Sequence, residues 1–139
     1  MEAITDNTQD IRNGLKTDSI EMPIEIVSRN KIDKMHWSKK AKLRDTYQLL
    51  VRNQMTLNKI DKVDDGQKCG LVLIGYRKRS LDFDNFVGGC KQLIDALSRE
   101  GFIWDDNMKY LGIPTFIQEK CEDKEPYVAI TRSIIKGVV

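Results

Sequence analysis

The sequence of 139 residues contains a single histidine, His36, and three widely separated cysteines. One histidine excludes zinc sites built from several histidines and leaves most acid–base triads without their proton carrier. Cys69, Cys90 and Cys121 are odd in number and form no C-x-x-C pair, so neither a disulfide framework nor a zinc ribbon is indicated. Any catalysis is therefore expected to depend on carboxylates.

Long apolar runs are also missing. No stretch approaches the roughly 18 to 20 apolar residues of a membrane span, and the N-terminus has acidic residues where a signal peptide begins with basic ones. The content of 40% hydrophobic and 32% charged residues is typical of a globular domain, and the length suits one such domain. We expect a cytoplasmic protein without membrane association.

The net charge of +2 hides an uneven distribution. Residues 1–22 carry five acidic and two basic side chains, whereas residues 29–62 carry ten basic and three acidic ones. A basic segment of this kind suits a phosphate-rich partner, although a solvated surface explains such segments about as often.

Hydrophobic periodicity predicts an α+β fold, a small mixed sheet with helices packed on it, in the order β-α-β-α-(β)-β-β. Residues 1–22 are predicted to form a loosely structured arm, and residues 23–139 the domain. The domain would open with a strand from Pro23, followed by a basic loop and a helix from a Ser38 cap to about Met55. The predicted apolar stripe of this helix consists of Leu43, Tyr47, Leu50, Val51 and Met55.

The second half begins with the strand "CGLVLIGYRKRS". A helix is predicted from about Asn85, with one apolar face that is typical of core packing. After it, "FIW" is predicted as a short strand, and residues 113–121 and 127–135 as a closing hairpin. The apolar face consists of Phe86, Cys90, Leu93, Ile94 and Leu97.

Acidic residues flank this helix on both sides. In an extended backbone, Asp82 and Asp84 would point to one side while Phe83 turns into the core. Two such carboxylates can hold Mg²⁺ together with phosphate oxygens, and Asp105 or Asp106 could supply a third. Alternatively, the first pair only caps the helix and the second only makes a turn.

The helix itself carries two further signals. Lys91 and Asp95 lie on the same helical face as Asp84, either as a solvated pair or with the lysine directed at a phosphate. Gly88 and Gly89 are unfavourable inside a helix, so they indicate either a displaced helix start or the close approach of another backbone.

The pattern R-x-L-D-x-D-N-x-x-G-G-x-K-x-x-x-D-A-L-x-x-x-G-x-x-x-D-D, with "MHWSKKAKL" upstream, resembles the RusA family of Holliday junction resolvases, particularly its phage and prophage members. The resemblance covers about residues 23–133. It implies a homodimeric endonuclease of DNA recombination and repair that nicks two strands of a four-way junction symmetrically, using Mg²⁺ or Mn²⁺ and no small-molecule cofactor. It also implies a bacterial cytoplasm as the place of action.

The resemblance assigns roles to residues by position. Asp82, Asp84 and Asp106 match the metal-binding aspartates, and Asp105 would assist them. The family lysine lies four residues after the second aspartate, where this chain has Gly88, so Lys91 would take its role one turn later. The implied DNA contacts are Lys39, Lys40, Arg77, Lys78 and Arg79 to phosphates, and His36 and Trp37 stacking at the junction centre.

Two other functions remain open on the sequence. The chain could be a structure-specific nuclease for other branched DNA, or a junction-binding module whose acidic residues have no catalytic role.

Overall fold

Helices and strands are interspersed along the chain in the computed structural model, which describes residues 15–122 and 124–135. The α+β class predicted from the sequence is confirmed. The elements are β1 (Leu15–Met22), α1 (Arg29–Asp33), α2 (Trp37–Leu57), β2 (Cys69–Arg77), α3 (Phe83–Arg99), β3 (Thr115–Lys120) and β4 (Tyr127–Ile135).

The four strands form one mixed sheet in the spatial order β1-β4-β2-β3. β4 is antiparallel to both β1 and β2, whereas β3 is parallel to β2. The predicted closing hairpin is therefore wrong, because β2 lies between β3 and β4. α3 connects β2 to β3 as a crossover, and a crossover is what a parallel pair requires.

The predicted N-terminal arm is wrong for the part that the structure describes. Residues 15–22 form the edge strand β1, in register with β4 from Leu15↔Ile135 to Met22↔Val128, and Ile20 is buried. The strand predicted from Pro23 is absent, since residues 23–28 connect β1 to α1 without strand structure. The sheet thus begins before residue 23, and residues 1–14 lie outside the described part.

Hydrogen bonds at helix ends account for three further differences between the predicted and the observed elements. The predicted basic loop contains α1, where the Ser28 hydroxyl accepts a hydrogen bond from the backbone N–H of Lys31 at 3.1 Å. α2 begins at Trp37 with His36 as its cap, two residues earlier than the predicted Ser38 cap. "FIW" is not a strand, because the N–H groups of Phe102 and Ile103 donate to the Leu97 carbonyl and wrap the chain around the end of α3.

The core lies between one face of the sheet and the helices α2 and α3. The five apolar residues predicted for the core face of α3 are all buried, which confirms that face. α2 contributes Tyr47, Val51 and Met55 from the predicted stripe. Each fully buried aliphatic or aromatic side chain stabilises such a core by about 1.5–3 kcal/mol.

Among the described residues, no helix combines the length and the apolar character that crossing a membrane would require.

Candidate functional site

The first acidic residues lie at the N-terminus of α3. Asp82 is the cap residue, and its two carboxylate oxygens accept hydrogen bonds from the backbone N–H and the side-chain amide of Asn85 at 2.8 and 3.1 Å. Asp84 is exposed in the first helical turn. The expected extended geometry is wrong, because Phe83 already belongs to the helix and is 66% exposed. Asp82 and Asp84, here called the acidic pair, nevertheless both face solvent at one helix end.

The start of the basic segment packs directly against this helix end. The Asn85 side-chain oxygen accepts a hydrogen bond from the backbone N–H of Asn30 at 3.0 Å. A Cβ atom on Gly89 would stand 2.0 Å from the Val27 carbonyl oxygen, and one on Gly88 would meet the Arg29 side chain at 2.5 Å. The close backbone approach predicted from the two glycines is confirmed at Gly89. Asn85 and the glycines therefore hold residues 27–30 beside the acidic pair.

Lys91 follows the acidic pair on the same helix. The side chains of Asp84 and Lys91 have no hydrogen-bond or ion-pair partner among residues 15–122 and 124–135. Seven residues of α-helix separate the two Cα atoms by about 10 Å along the axis, and side chains tilt toward the helix N-terminus. The long lysine stem can thus carry its ammonium group toward the acidic pair.

The second acidic group lies beyond the other end of α3. Asp105 accepts hydrogen bonds from the Asp106 backbone N–H at 2.7 Å and from the Asn107 amide at 3.0 Å, so these residues do form the turn considered above. A hydrogen bond shared with Asp105 raises the pKa of Asp106, and burial and the negative charge of Asp95 raise it further. We call Asp95, Asp105 and Asp106 the distal acidic cluster.

The acidic pair and the distal acidic cluster do not converge within one chain. Eleven residues of helix place Asp84 and Asp95 about 16 Å apart along the axis. The carboxylate of Asp106 interacts with those of Asp95 and Asp105 and not with the acidic pair. Ligands of one Mg²⁺ lie about 2 Å from the ion, and paired metals about 4 Å apart. In the part of the chain that the structure describes, no group of three or more His, Cys, Asp or Glu is arranged to hold a metal.

Arg77, an expected phosphate contact, is occupied by the chain itself. Its Nε donates to the Ile26 carbonyl at 3.1 Å, its Nη1 donates to the Arg79 carbonyl, and its Nη2 lies 3.9 Å from Glu25 Oε1. Only 13% of the side chain is exposed. Arg77 therefore fixes the connection before α1 to the end of β2.

Lys78 and Arg79 are exposed and line an open cleft of about 730 Å³. The cleft extends to Leu81, which directly precedes the acidic pair. Both backbone groups of Leu81 are fixed by the Gln118 side chain, at 2.9 Å for the N–H and 2.8 Å for the carbonyl. The cleft that Lys78 and Arg79 line, together with Glu25 and Glu125, thus ends at the residue before the acidic pair.

The remaining predicted DNA contacts lie at the start of α2. The Nδ1 of His36 accepts a hydrogen bond from the Ser38 backbone N–H at 3.2 Å, which fixes the imidazole. Trp37 is 74% exposed, and its ring centroid lies 5.4 Å from that of His36. Trp37 therefore does not anchor the core and leaves an aromatic face open to solvent. Lys39 is exposed and Lys40 is half-buried in the same first turn.

No protein-family model matches the sequence, and no curated protein matches it. The resemblance to RusA resolvases therefore depends on the motif residues quoted above.

Proposed function

We propose that the chain is a metal-dependent endodeoxyribonuclease that acts on four-way DNA junctions in the bacterial cytoplasm. The observation that carries the proposal is the neighbourhood of the acidic pair: Lys91 follows it on α3, and the cleft of Lys78 and Arg79 leads to it. Such an arrangement of acidic and basic groups suits a phosphodiester substrate. Basic side chains, and a hard metal ion held by carboxylates, can both bind its anionic oxygens.

The acidic pair fits a Mg²⁺ or Mn²⁺ ion. Each Asp82 oxygen accepts a single hydrogen bond and keeps a further lone pair, and Asp84 has no partner in the described residues. Metal ligation uses the carboxylate form of both side chains. When bound, the metal would supply Lewis-acid stabilisation of phosphate oxygens.

The other residues have roles that follow from their positions. Lys91 stabilises the negative charge that develops on the phosphate, and Lys78 and Arg79 hold the DNA backbone without reading bases. Lys39 and Lys40 add phosphate contacts at the start of α2. The exposed rings of His36 and Trp37 stack on bases at the junction centre. Symmetric nicking of a junction with two-fold symmetry requires two active sites related by the same symmetry, so the active form would be a homodimer.

Cleavage of a synthetic mobile junction with Mg²⁺, beside linear and flap DNA, tests the proposal. Asp84→Asn should lower the cleavage rate about 10²-fold or more while junction binding in a gel-shift assay persists, because the substitution removes a ligand charge only. Asp45→Asn, at an exposed acid on α2, serves as the matched control and should cleave like the wild type. Cleavage by Asp84→Asn at the wild-type rate would overturn the assignment.

A second candidate, a junction-binding module without cleavage, is favoured by the separation of Asp106 from the acidic pair. In that case Mg²⁺ changes neither nicking nor junction affinity. Preference for flaps over junctions in a competition assay would instead indicate a nuclease for other branched DNA.

A further inference from the structure

The connection between β2 and α3 carries several groups of the candidate site. Residues 78–82 have neither helix nor strand structure, and they include Lys78, Arg79 and the first residue of the acidic pair. Residues 78–80 are exposed, so packing into the core does not fix their backbone. The position of the acidic pair relative to the two basic side chains therefore depends on the contacts that hold this connection.

One side chain from a distant strand holds the end of the connection. The Gln118 amide nitrogen donates to the Leu81 carbonyl at 2.8 Å, and the Gln118 amide oxygen accepts from the Leu81 N–H at 2.9 Å. Among residues 15–122 and 124–135, no other hydrogen bond reaches these two backbone groups. A primary amide can pair with the N–H and the carbonyl of one residue because it presents a donor and an acceptor side by side.

The register of the sheet directs Gln118 to the side on which the helices pack. β3 pairs with β2 so that Gln118 stands beside Gly75, and a Cβ atom on Gly75 would meet the ring of Phe86. Two residues earlier on the same side of β3, Phe116 packs against the core. A half-buried amide in this position is costly unless both of its polar atoms have partners, and Leu81 supplies them.

A second contact holds the middle of the same connection. The Arg77 guanidinium donates to the Arg79 carbonyl and, at 3.1 Å, to the Ile26 carbonyl. Arg77 thus fixes the backbone that carries the basic side chains, whereas Gln118 fixes the residue directly before Asp82. Of the two contacts, the one from Gln118 adjoins the acidic pair.

We infer that Gln118 is a positioning residue for the acidic pair. By holding Leu81, its two hydrogen bonds fix where the Asp82 carboxylate lies relative to the cleft of Lys78 and Arg79. The inference rests on the proposed function, in which a metal held by the acidic pair must meet a phosphate bound in that cleft. A misplacement of about 1 Å can lower the rate of a reaction about 10²-fold, so losing these hydrogen bonds should affect cleavage more than DNA binding.

A comparison of Gln118→Met with Gln67→Met tests this role. Methionine keeps the length of the side chain but removes the amide donor and acceptor. The Gln67 amide also contacts the backbone, since it donates to the carbonyls of Lys68 and Ile135 at 2.8 and 2.9 Å. These contacts lie at the start of β2, and the acidic pair lies beyond its end. Gln67→Met is therefore a matched loss of backbone contacts away from the site.

Two readouts are needed. The first is the single-turnover cleavage rate of a synthetic four-way junction with Mg²⁺, and the second is the dissociation constant for Mn²⁺ without DNA, measured by electron paramagnetic resonance. Gln118→Met should change both unfavourably by about 10-fold or more, while junction binding in a gel-shift assay stays unchanged. Gln67→Met should match the wild type in all three measurements. Circular dichroism establishes that each variant is folded at the assay temperature.

If Gln118→Met fails to fold, Gln118→Glu takes its place. A carboxylate still accepts from the Leu81 N–H but cannot donate to the Leu81 carbonyl, so the cleavage rate should fall as well. A wild-type cleavage rate and Mn²⁺ affinity in the Gln118 variant, or equal losses in Gln67→Met, overturn the positioning role and leave the nuclease proposal standing. Either readout decides alone if the wild type shows only one activity. A wild type that neither binds Mn²⁺ nor cleaves DNA overturns the proposed function, and the positioning role with it.

Discussion

Asp106 is the residue whose ionisation the fold perturbs most clearly within the candidate site. Its carboxylate shares a hydrogen bond with Asp105 and faces the charge of Asp95, and the pKa of Asp106 is raised as a result. No salt bridge within the described residues neutralises this cluster. Side chains with perturbed pKa values are common at functional sites, where charged groups are retained although they lower the stability of the fold.

Asp106→Asn is expected to raise the Tm at pH 7 in the presence of EDTA. With a pKa raised by folding, Asp106 binds its proton more tightly in the folded than in the unfolded chain, so its ionisation destabilises the fold. The penalty is complete at neutral pH and absent below the ordinary Asp pKa of about 4, and the gain in Tm should vanish near pH 3. Thermal unfolding of Asp106→Asn and the wild type at pH 7 and at pH 3 measures this gain in Tm, with Asp64→Asn as the control. A lower Tm at pH 7 would contradict the stated cause.

At the scale of elements, the packing of the segment before α1 against α3 positions the candidate site. The Val27 carbonyl approaches Gly89, and Asn30 is hydrogen-bonded to Asn85. α3 therefore accepts two adjacent glycines that its own helical propensity disfavours. This contact holds the start of the basic segment beside the acidic pair, while the buried residues of α2 hold the rest of the segment against α3.

The two glycines should respond differently to alanine. In Gly89→Ala the new Cβ meets the backbone oxygen of Val27 at 2.0 Å, so we expect a loss of about 2–3 kcal/mol in the free energy of unfolding. In Gly88→Ala the new Cβ meets only side-chain atoms of Arg29, and the Cδ atom at 2.5 Å can rotate away whereas the Cβ atom at 2.8 Å requires a small shift of α1. The helical preference for alanine partly offsets this cost, so we expect a smaller loss, below about 1 kcal/mol. Urea denaturation of both variants measures the difference. Equal effects would show that the backbone contact does not require Gly89.

At the scale of the whole molecule, Arg132 joins four parts of the chain. The guanidinium donates to Asp18 at 3.0 Å and to the carbonyls of Phe102 and Asp61 at 2.8 Å each, and it stacks on the Phe102 ring. β1, β4 and the loops after α2 and α3 thus meet at one buried cation. The guanidinium nitrogens all donate hydrogen bonds within the chain, so we assign Arg132 a structural role.

Removing that cation should strongly destabilise the protein. Arg132→Met leaves the Asp18 carboxylate and two carbonyl groups unpaired, and we expect a loss of about 3–5 kcal/mol. Arg29→Met breaks an i,i+4 pair whose side chains are 63% and 60% exposed, and it should cost under about 0.5 kcal/mol. Chemical denaturation of the two variants provides the comparison. A loss below about 1 kcal/mol for Arg132→Met would show that the four parts are held by other contacts.

Local periodicity in the sequence was enough to predict the α+β class, the core face of α3, the stripe of α2 and the strand β2. These features depend on residues within one or two turns of each other, and apolar spacing records them directly. The acidic pair, Lys91 and the close approach at Gly89 could also be identified, because each lies within one short motif.

Only the tertiary structure decided which strands pair and where the charged groups meet. β1 contains Asp18, which has the sequence signature of a surface residue but pairs with the buried Arg132 more than a hundred residues away. Contacts between distant parts of the chain also place β2 between β3 and β4 and bind the Arg77 side chain to backbone carbonyls. They likewise hold Asp106 beside Asp95 and not beside the acidic pair. Such pairings depend on distant parts of the chain, and the local pattern of a sequence does not record them.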